Sequence, residues 1–172
     1  MRTSVWKVLL MGVCALAYQH SYAKDDWQVT GWKIMTVDKV GRTGFDTDLA
    51  FGPNGLPAIS YTGNNAVKFA SFDGIQWNIT IVDVGGMYTS LAFGPDGQPA
   101  ITYYDIANED LKCARFDGGQ WTITAVDTQG RVGALPSLAF GPDGQPAISY
   151  CDLGNEDLKF ARFDGDRWRT SI

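Results

Sequence analysis

Histidine is nearly missing from this chain of 172 residues, which carries one, His20. Cysteine is scarce as well, with Cys14, Cys113 and Cys151. Basic residues are outnumbered by acidic ones, 14 to 19, for a net charge of −5. Beyond the first 23 residues no apolar run approaches the roughly 20 residues that a membrane-spanning helix needs, so no membrane insertion is expected.

The exception lies at the start. Arg2 and Lys7 flank the apolar stretch 8–17, and Ser21-Tyr22-Ala23 has the small-x-small form of a cleavage site. Residues 1–23 therefore read as a secretory signal peptide, and a secreted or periplasmic location follows. Met11-Gly12-Val13 before Cys14 makes a poor lipid-attachment motif. Removing Arg2, Lys7 and His20 leaves 12 basic against 19 acidic residues, a net charge of −7, and no imidazole. Ser-His-Asp and Cys-His mechanisms and histidine-ligated zinc are thereby excluded. The acidic balance also disfavours nucleic acid and anionic lipid as partners. An exported chain meets oxidising conditions, so a Cys113–Cys151 disulfide is permitted. Two buried thiols acting as small apolar side chains are the other reading.

What the sequence does have is a repeat. The run Leu49-Ala50-Phe51-Gly52-Pro53-Asn54-Gly55-Leu56-Pro57-Ala58-Ile59-Ser60 returns at 91–102 and at 138–149. Lys68-Phe69-Ala70-Ser71-Phe72-Asp73-Gly74 returns at 112–118 and 159–165. Trp32, Trp77, Trp121 and Trp168 are spaced 45, 44 and 47 residues apart; the first three open a recurring run that ends in Val-Asp, and Trp168 opens a clipped version of it in which Thr170 replaces the apolar residue. That period means repeated supersecondary units. Each unit reads as four short strands, 90–93, 99–104, 111–116 and 121–126 in the second one, separated by Gly/Pro/Asp turns. No sustained helical period is present. Four strands per unit at this spacing predict an all-β, β-propeller-type array of about three blades plus one extra N-terminal strand from Trp32 to Asp38. The expected layout is a signal peptide 1–23, a lead-in 24–31, and blade repeats over 32–172, divided at 32–83, 84–127 and 128–172.

The run Ser-Leu-Ala-Phe-Gly-Pro-Asp-Gly-Gln-Pro-Ala-Ile-Ser-Tyr, an Asp-Leu-Lys-Phe-Ala strand and then Asp-Gly-x-x-Trp resemble repeat arrays of exported bacterial β-propeller proteins. The turn from Ser71 to Trp77 is similar to the Asp-box of sialidase-like propellers but one residue shorter, and Ala114 and Ala161 replace its serine elsewhere. The first two strands are similar to NHL-type repeats. The resemblance implies fold; such arrays serve many functions.

Length differences between repeats fall in two connections. The link from fourth to first strand covers 39–48, 84–90 and 128–137, and the link from second to third strand is two residues shorter in the first repeat. In a meander these two links share one face of the disc, and variable loops on a rigid scaffold are where binding resides. On that face Asp105, Asn108, Glu109 and Asp110 recur as Asp152, Asn155, Glu156 and Asp157. One reading is a calcium site near Asp105, Asp110, Asp152 and Asp157, and no other cofactor is expected. The other is side-chain-to-backbone turns in exposed hairpins. Tyr61, Tyr103, Tyr104 and Tyr150 end the second strands, where they either stack on a carbohydrate or pack blade against blade. Asp38, Asp83 and Asp127 read as acceptors for turn N–H groups, and the repeated tryptophans as packing anchors.

These residues favour a binding or interaction scaffold for a carbohydrate or protein ligand. The alternative is a sialidase-like or other glycoside hydrolase or lyase, but Arg42 and Arg131 find no third arginine in 87–90, so the catalytic pattern is unmatched. Closed propellers hold about four to eight blades. Three blades are expected either to pair with a second copy as a six-bladed homo-oligomer or to lack further blades. The pattern breaks off mid-strand at Ile172, which favours the latter. On either reading the isolated monomer is expected to be marginal.

Overall fold

A computed structural model describes residues 34–171; the expected signal peptide 1–23 and lead-in 24–31, with Trp32, Lys33 and Ile172, lie outside the described residues. Each repeat folds as one antiparallel meander. The first holds β1 (Thr43–Phe51), β2 (Pro57–Gly63), β3 (Ala66–Phe72) and β4 (Trp77–Val84). The second holds β5 (Gly86–Phe93), β6 (Pro99–Asp105), β7 (Asp110–Phe116) and β8 (Trp121–Asp127). The third holds β9 (Val132–Phe140), β10 (Pro146–Asp152), β11 (Asp157–Phe163) and β12 (Trp168–Ser171). Strand order within every sheet is sequence order, and no helix occurs among the described residues. The chain is all-β, with three four-stranded blades.

The two turns of constant length are held by their own side chains. In the first-to-second turn, the Asn54, Asp96 and Asp143 side chains accept from the N–H two residues on, at 3.0, 3.1 and 3.2 Å. In the third-to-fourth turn, Asp73, Asp117 and Asp164 each accept two successive N–H groups. An inserted residue would break these pairings.

The core lies between the sheets. Ala58, Val67, Val82, Leu91, Ile101, Tyr103 and Ala114 fill the junction of the first two blades. Leu111, Cys113, Val132, Leu138, Ile148, Tyr150 and Ala161 are among those filling the second junction. Alanines such as Ala58, Ala100 and Ala161 let the sheets approach. The tryptophans do anchor packing: Trp121 lies 5.3 Å from Phe116 of its own blade and 5.4 Å from Phe69 of the blade before.

Two expectations are corrected. The fourth-to-first links are not loops over their whole length. Their distal halves are strand, interrupted by a bulge at which Asp46, Tyr88 and Leu135 take left-handed φ values of 48°, 57° and 50°. The bulge adds residues without ending the ladder. The described part of the extra N-terminal strand, residues 34–38, carries no strand either. Fourth strands pair with the third strand of their own blade, and among the described residues no third strand lies beside this segment.

Candidate functional site

The second-to-third and fourth-to-first links meet at one end of the blades. Asn64 N–H donates to Arg42 O, Gly85 N–H to Asn65 O, Ile106 N–H to Gly85 O and Val132 N–H to Glu109 O, all at 2.8–2.9 Å. On this face an open cleft of about 550 Å³ lies where the first two blades meet. Phe45, Met87, Tyr88 and Ile106 give it apolar walls, and Arg42, Asp46, Asn64 and Asn65 a polar rim.

The bulges build it. Register slips between Phe45 and Asp48 in β1, and between Met87 and Ser90 in β5, turn the intervening side chains out of the ladder. The β2–β3 hairpin is two residues, Asn64 and Asn65, both left-handed at 52° and 59°, which suits asparagine. Asn64 is occupied: its Oδ1 accepts Arg42 N–H at 3.0 Å and its Nδ2 donates to Val40 O at 2.7 Å. Asp46 Oδ2 accepts from the Thr62 hydroxyl at 3.2 Å. The Asn65 amide makes no side-chain hydrogen bond among the described residues, and the Arg42 guanidinium lies 5.6 Å over the Phe45 ring. Tyr88 leans on Tyr104 at 6.4 Å. The cleft thus offers flat apolar surface beside exposed amide, carboxylate and guanidinium groups.

The residues singled out from sequence are placed differently. Tyr103 and Tyr150 are fully buried and Tyr104 nearly so. They fill the blade interior rather than face a ligand. Asp105 Oδ1 accepts from Ala107 and Asn108 N–H, and its Oδ2 from the Asn108 amide at 2.7 Å. Asp152 repeats this with Gly154 and Asn155. Glu109 pairs with Arg131 at 3.0 Å, Glu156 is exposed, and the half-buried Asp110 and Asp157 open β7 and β11. Burial, and then the Asp105 charge, push the Asp110 carboxyl up. The calcium reading therefore gives way to the turn reading: the Asp105 and Asp152 carboxylates are spent on hairpin N–H groups. No group of three or more acidic, Cys or His side chains among the described residues could hold a metal ion. The disulfide is also corrected. Cys113 and Cys151 are both free, and burial pushes the Cys113 thiol up to about 12.

Sequence reading missed the second role of the repeated aspartates. Asp38 Oδ1 accepts Val40 N–H at 2.9 Å, the turn role expected. Its Oδ2 also takes the Tyr61 hydroxyl and the Lys68 ammonium, each at 2.9 Å. Asp83 takes Tyr103 at 2.5 Å and Lys112 at 3.6 Å; Asp127 takes Tyr150 at 2.7 Å and Lys159 at 2.5 Å. Asp83 and Asp127 end one blade while their tyrosine and lysine belong to the next, so each cluster locks two blades together. The Val40 N–H and then Lys68 hold the Asp38 carboxyl far below its usual range. Burial, and then Asp38, push the Tyr61 phenol above its own. The clue lay in the sequence: Asp, Tyr and Lys recur at matching positions in all three repeats.

No protein-family model and no curated protein matches the chain. Among solved structures, it is similar to a fucose lectin from Kordia zhangzhouensis in complex with methyl-fucoside, at 15% identity and a TM-score of 0.52. The match covers 73% of this chain and 97% of that one. The likeness assigns the class of fold, a β-propeller-type array of four-stranded sheets.

Proposed function

We propose that this chain is an exported carbohydrate-binding protein, and that a sugar seats in the cleft between the first two blades. The observation that carries the reading is the juxtaposition there of Phe45 and Tyr88 with Asp46, Asn65 and Arg42. A pyranose presents an apolar C–H face and a ring of hydroxyls, and aromatic surface flanked by amide and charged groups answers both. The volume, about 550 Å³, lies within the range of small-ligand sites. The described ligand of the similar lectin supports a saccharide over a peptide. The signal peptide 1–23 and the secreted or periplasmic location belong to the same reading, because free glycans and cell-surface sugars are met there.

A binding role is favoured over glycoside hydrolysis. A hydrolase of the usual type needs two carboxylates flanking the scissile bond, and Asp46 is the single carboxylate lining this cleft among the described residues. The test is isothermal titration of methyl-fucoside and a panel of other methyl glycosides into the purified chain, with Tyr88→Ala and Asn65→Ala alongside. Binding to at least one glycoside, weakened roughly tenfold or more by either substitution, is expected. Tight binding that both substitutions leave unchanged would move the site elsewhere, and no binding across the panel would remove the reading.

A further inference from the structure

The two internal blade junctions are built from the same contacts at matching positions, and each end of the array carries one unmatched half. At the first junction Leu91 N–H donates to Asp48 Oδ2 at 2.8 Å; at the second, Leu138 N–H donates to Ser90 Oγ at 3.1 Å. Gly86 is pressed on Val67, and Gly133 on Leu111, where an added Cβ would stand 2.6 Å from the leucine Cα. Phe93 and Phe140 lie over Gly52 and Gly94 of the blade before. Arg131 pairs with Glu109 across the second junction at 3.0 Å.

On the outer face of the first blade Tyr61 and Lys68 keep Asp38, and Leu49 N–H donates to the neighbouring Asp48 Oδ1 at 2.9 Å, but the other matching residues face no second blade among the described residues. Leu49 is 56% exposed where Leu91 is 5%, and Phe51 is 64% exposed. Gly44 has nothing within 4 Å of the position a Cβ would take. Beside it a cavity of about 230 Å³ opens between Val37, Gly44, Thr47, Ile59 and Tyr61. On the outer face of the third blade the complementary halves stand free. Leu158, the counterpart of Val67 and Leu111, is 78% exposed; Ser137, the counterpart of Ser90, is also exposed. Glu156, the counterpart of Glu109, has no ion pair among the described residues, and neither has Arg42, the counterpart of Arg131.

We infer that these two faces dock on each other between two copies of this chain, closing a six-bladed ring. Leu158 of each copy fills the Gly44 cavity of the other, as Val67 meets Gly86 and Tyr103 inside the chain. Glu156 pairs with Arg42, and Ser137 Oγ takes over Leu49 N–H from Asp48 Oδ1. Two copies suffice because three blades each bring the count to six, within the range of closed propellers of about four to eight. A two-fold axis then makes both junctions identical and leaves no blade face open. The occupant is a second copy because the chain's own two faces fit each other in charge, in apolar pairing and in hydrogen-bond sense. The inference does not rest on the saccharide reading.

The experiment is light scattering after size-exclusion chromatography, across a concentration series of the full chain. Twice the chain mass is expected, independent of concentration at the upper end. Leu158→Asp places a charge at both junctions and is expected to weaken the dimer by roughly 100-fold or more. Ile75→Asp, at a hairpin tip away from both faces, is expected to leave it dimeric. Arg42→Glu and Glu156→Arg should each weaken the dimer, and the two together should restore it. A monomeric wild type overturns the inference and points to further blades supplied by a longer chain. A dimer indifferent to Leu158→Asp and to the charge exchange overturns it too, as do species larger than a dimer.

Discussion

Replacing Asp38 by asparagine tests whether the aspartate clusters hold the blades together. Among the described residues Lys68 has one carboxylate partner, Asp38, and both side chains are less than a tenth exposed. Asparagine keeps one acceptor oxygen, enough for the Tyr61 hydroxyl while the exposed Val40 N–H turns to water, but removes the charge that Lys68 faces. Stripping one partner from a buried ion pair costs about 3–5 kcal/mol, because the remaining charge stays buried without compensation. Asp83→Asn is the matched comparison. Its lysine, Lys112, is more exposed and keeps Asp105 at 2.7 Å, and Tyr103 still finds an acceptor. That change should cost only about 1 kcal/mol. Urea unfolding followed by tryptophan fluorescence, at one chain concentration, reads both. With a slope of about 1–3 kcal/mol/M, Asp38→Asn should lower the midpoint by about 1 M or more and Asp83→Asn by well under that. Adding Lys68→Met to Asp38→Asn should recover most of the loss, since the orphaned charge is gone. Equal losses for the two single substitutions, or no recovery in the double one, would refute the reasoning.

Two further outcomes follow from packing at the second junction. Gly133→Ala combines a φ of 99° with a Cβ 2.6 Å from Leu111 Cα, so it should destabilise by at least about 2 kcal/mol, while Gly130→Ala, at 94° in open space, should cost about 1 kcal/mol; thermal melts of the two variants separate them. Cys151, half-buried, should react with a maleimide in the native state and Cys113 only on unfolding, which mass spectrometry of labelled peptides checks. A native Cys113–Cys151 disulfide in that spectrum would contradict the free-thiol arrangement.

The fold was legible because the repeat writes each blade three times. Turn residues such as Pro53-Asn54-Gly55 and Asp73-Gly74 mark strand ends by their own chemistry, so the boundaries of β2 to β4 and their counterparts read directly. The bulged halves of β1, β5 and β9 did not, because a left-handed Asp46, Tyr88 or Leu135 carries no glycine to announce it. That hid the cleft, whose walls are those bulges. The face itself was readable from which links vary in length. Which residues on it meet solvent was not, since Tyr103 and Tyr104 are consecutive on a strand buried along both faces, and composition cannot tell such a tyrosine from an exposed one. Asp105 and Asp152 misled for a related reason: a carboxylate that closes a turn and one that binds a cation have the same sequence signature until the N–H groups are located.

The most direct test of the account is amide chemical-shift mapping with a glycoside that binds. Perturbations centred on Asp46, Asn65, Met87 and Tyr88 are expected, with the 105–110 and 152–157 hairpins unmoved. Shifts centred on those hairpins instead, or spread without a focus, would contradict the cleft as the binding site.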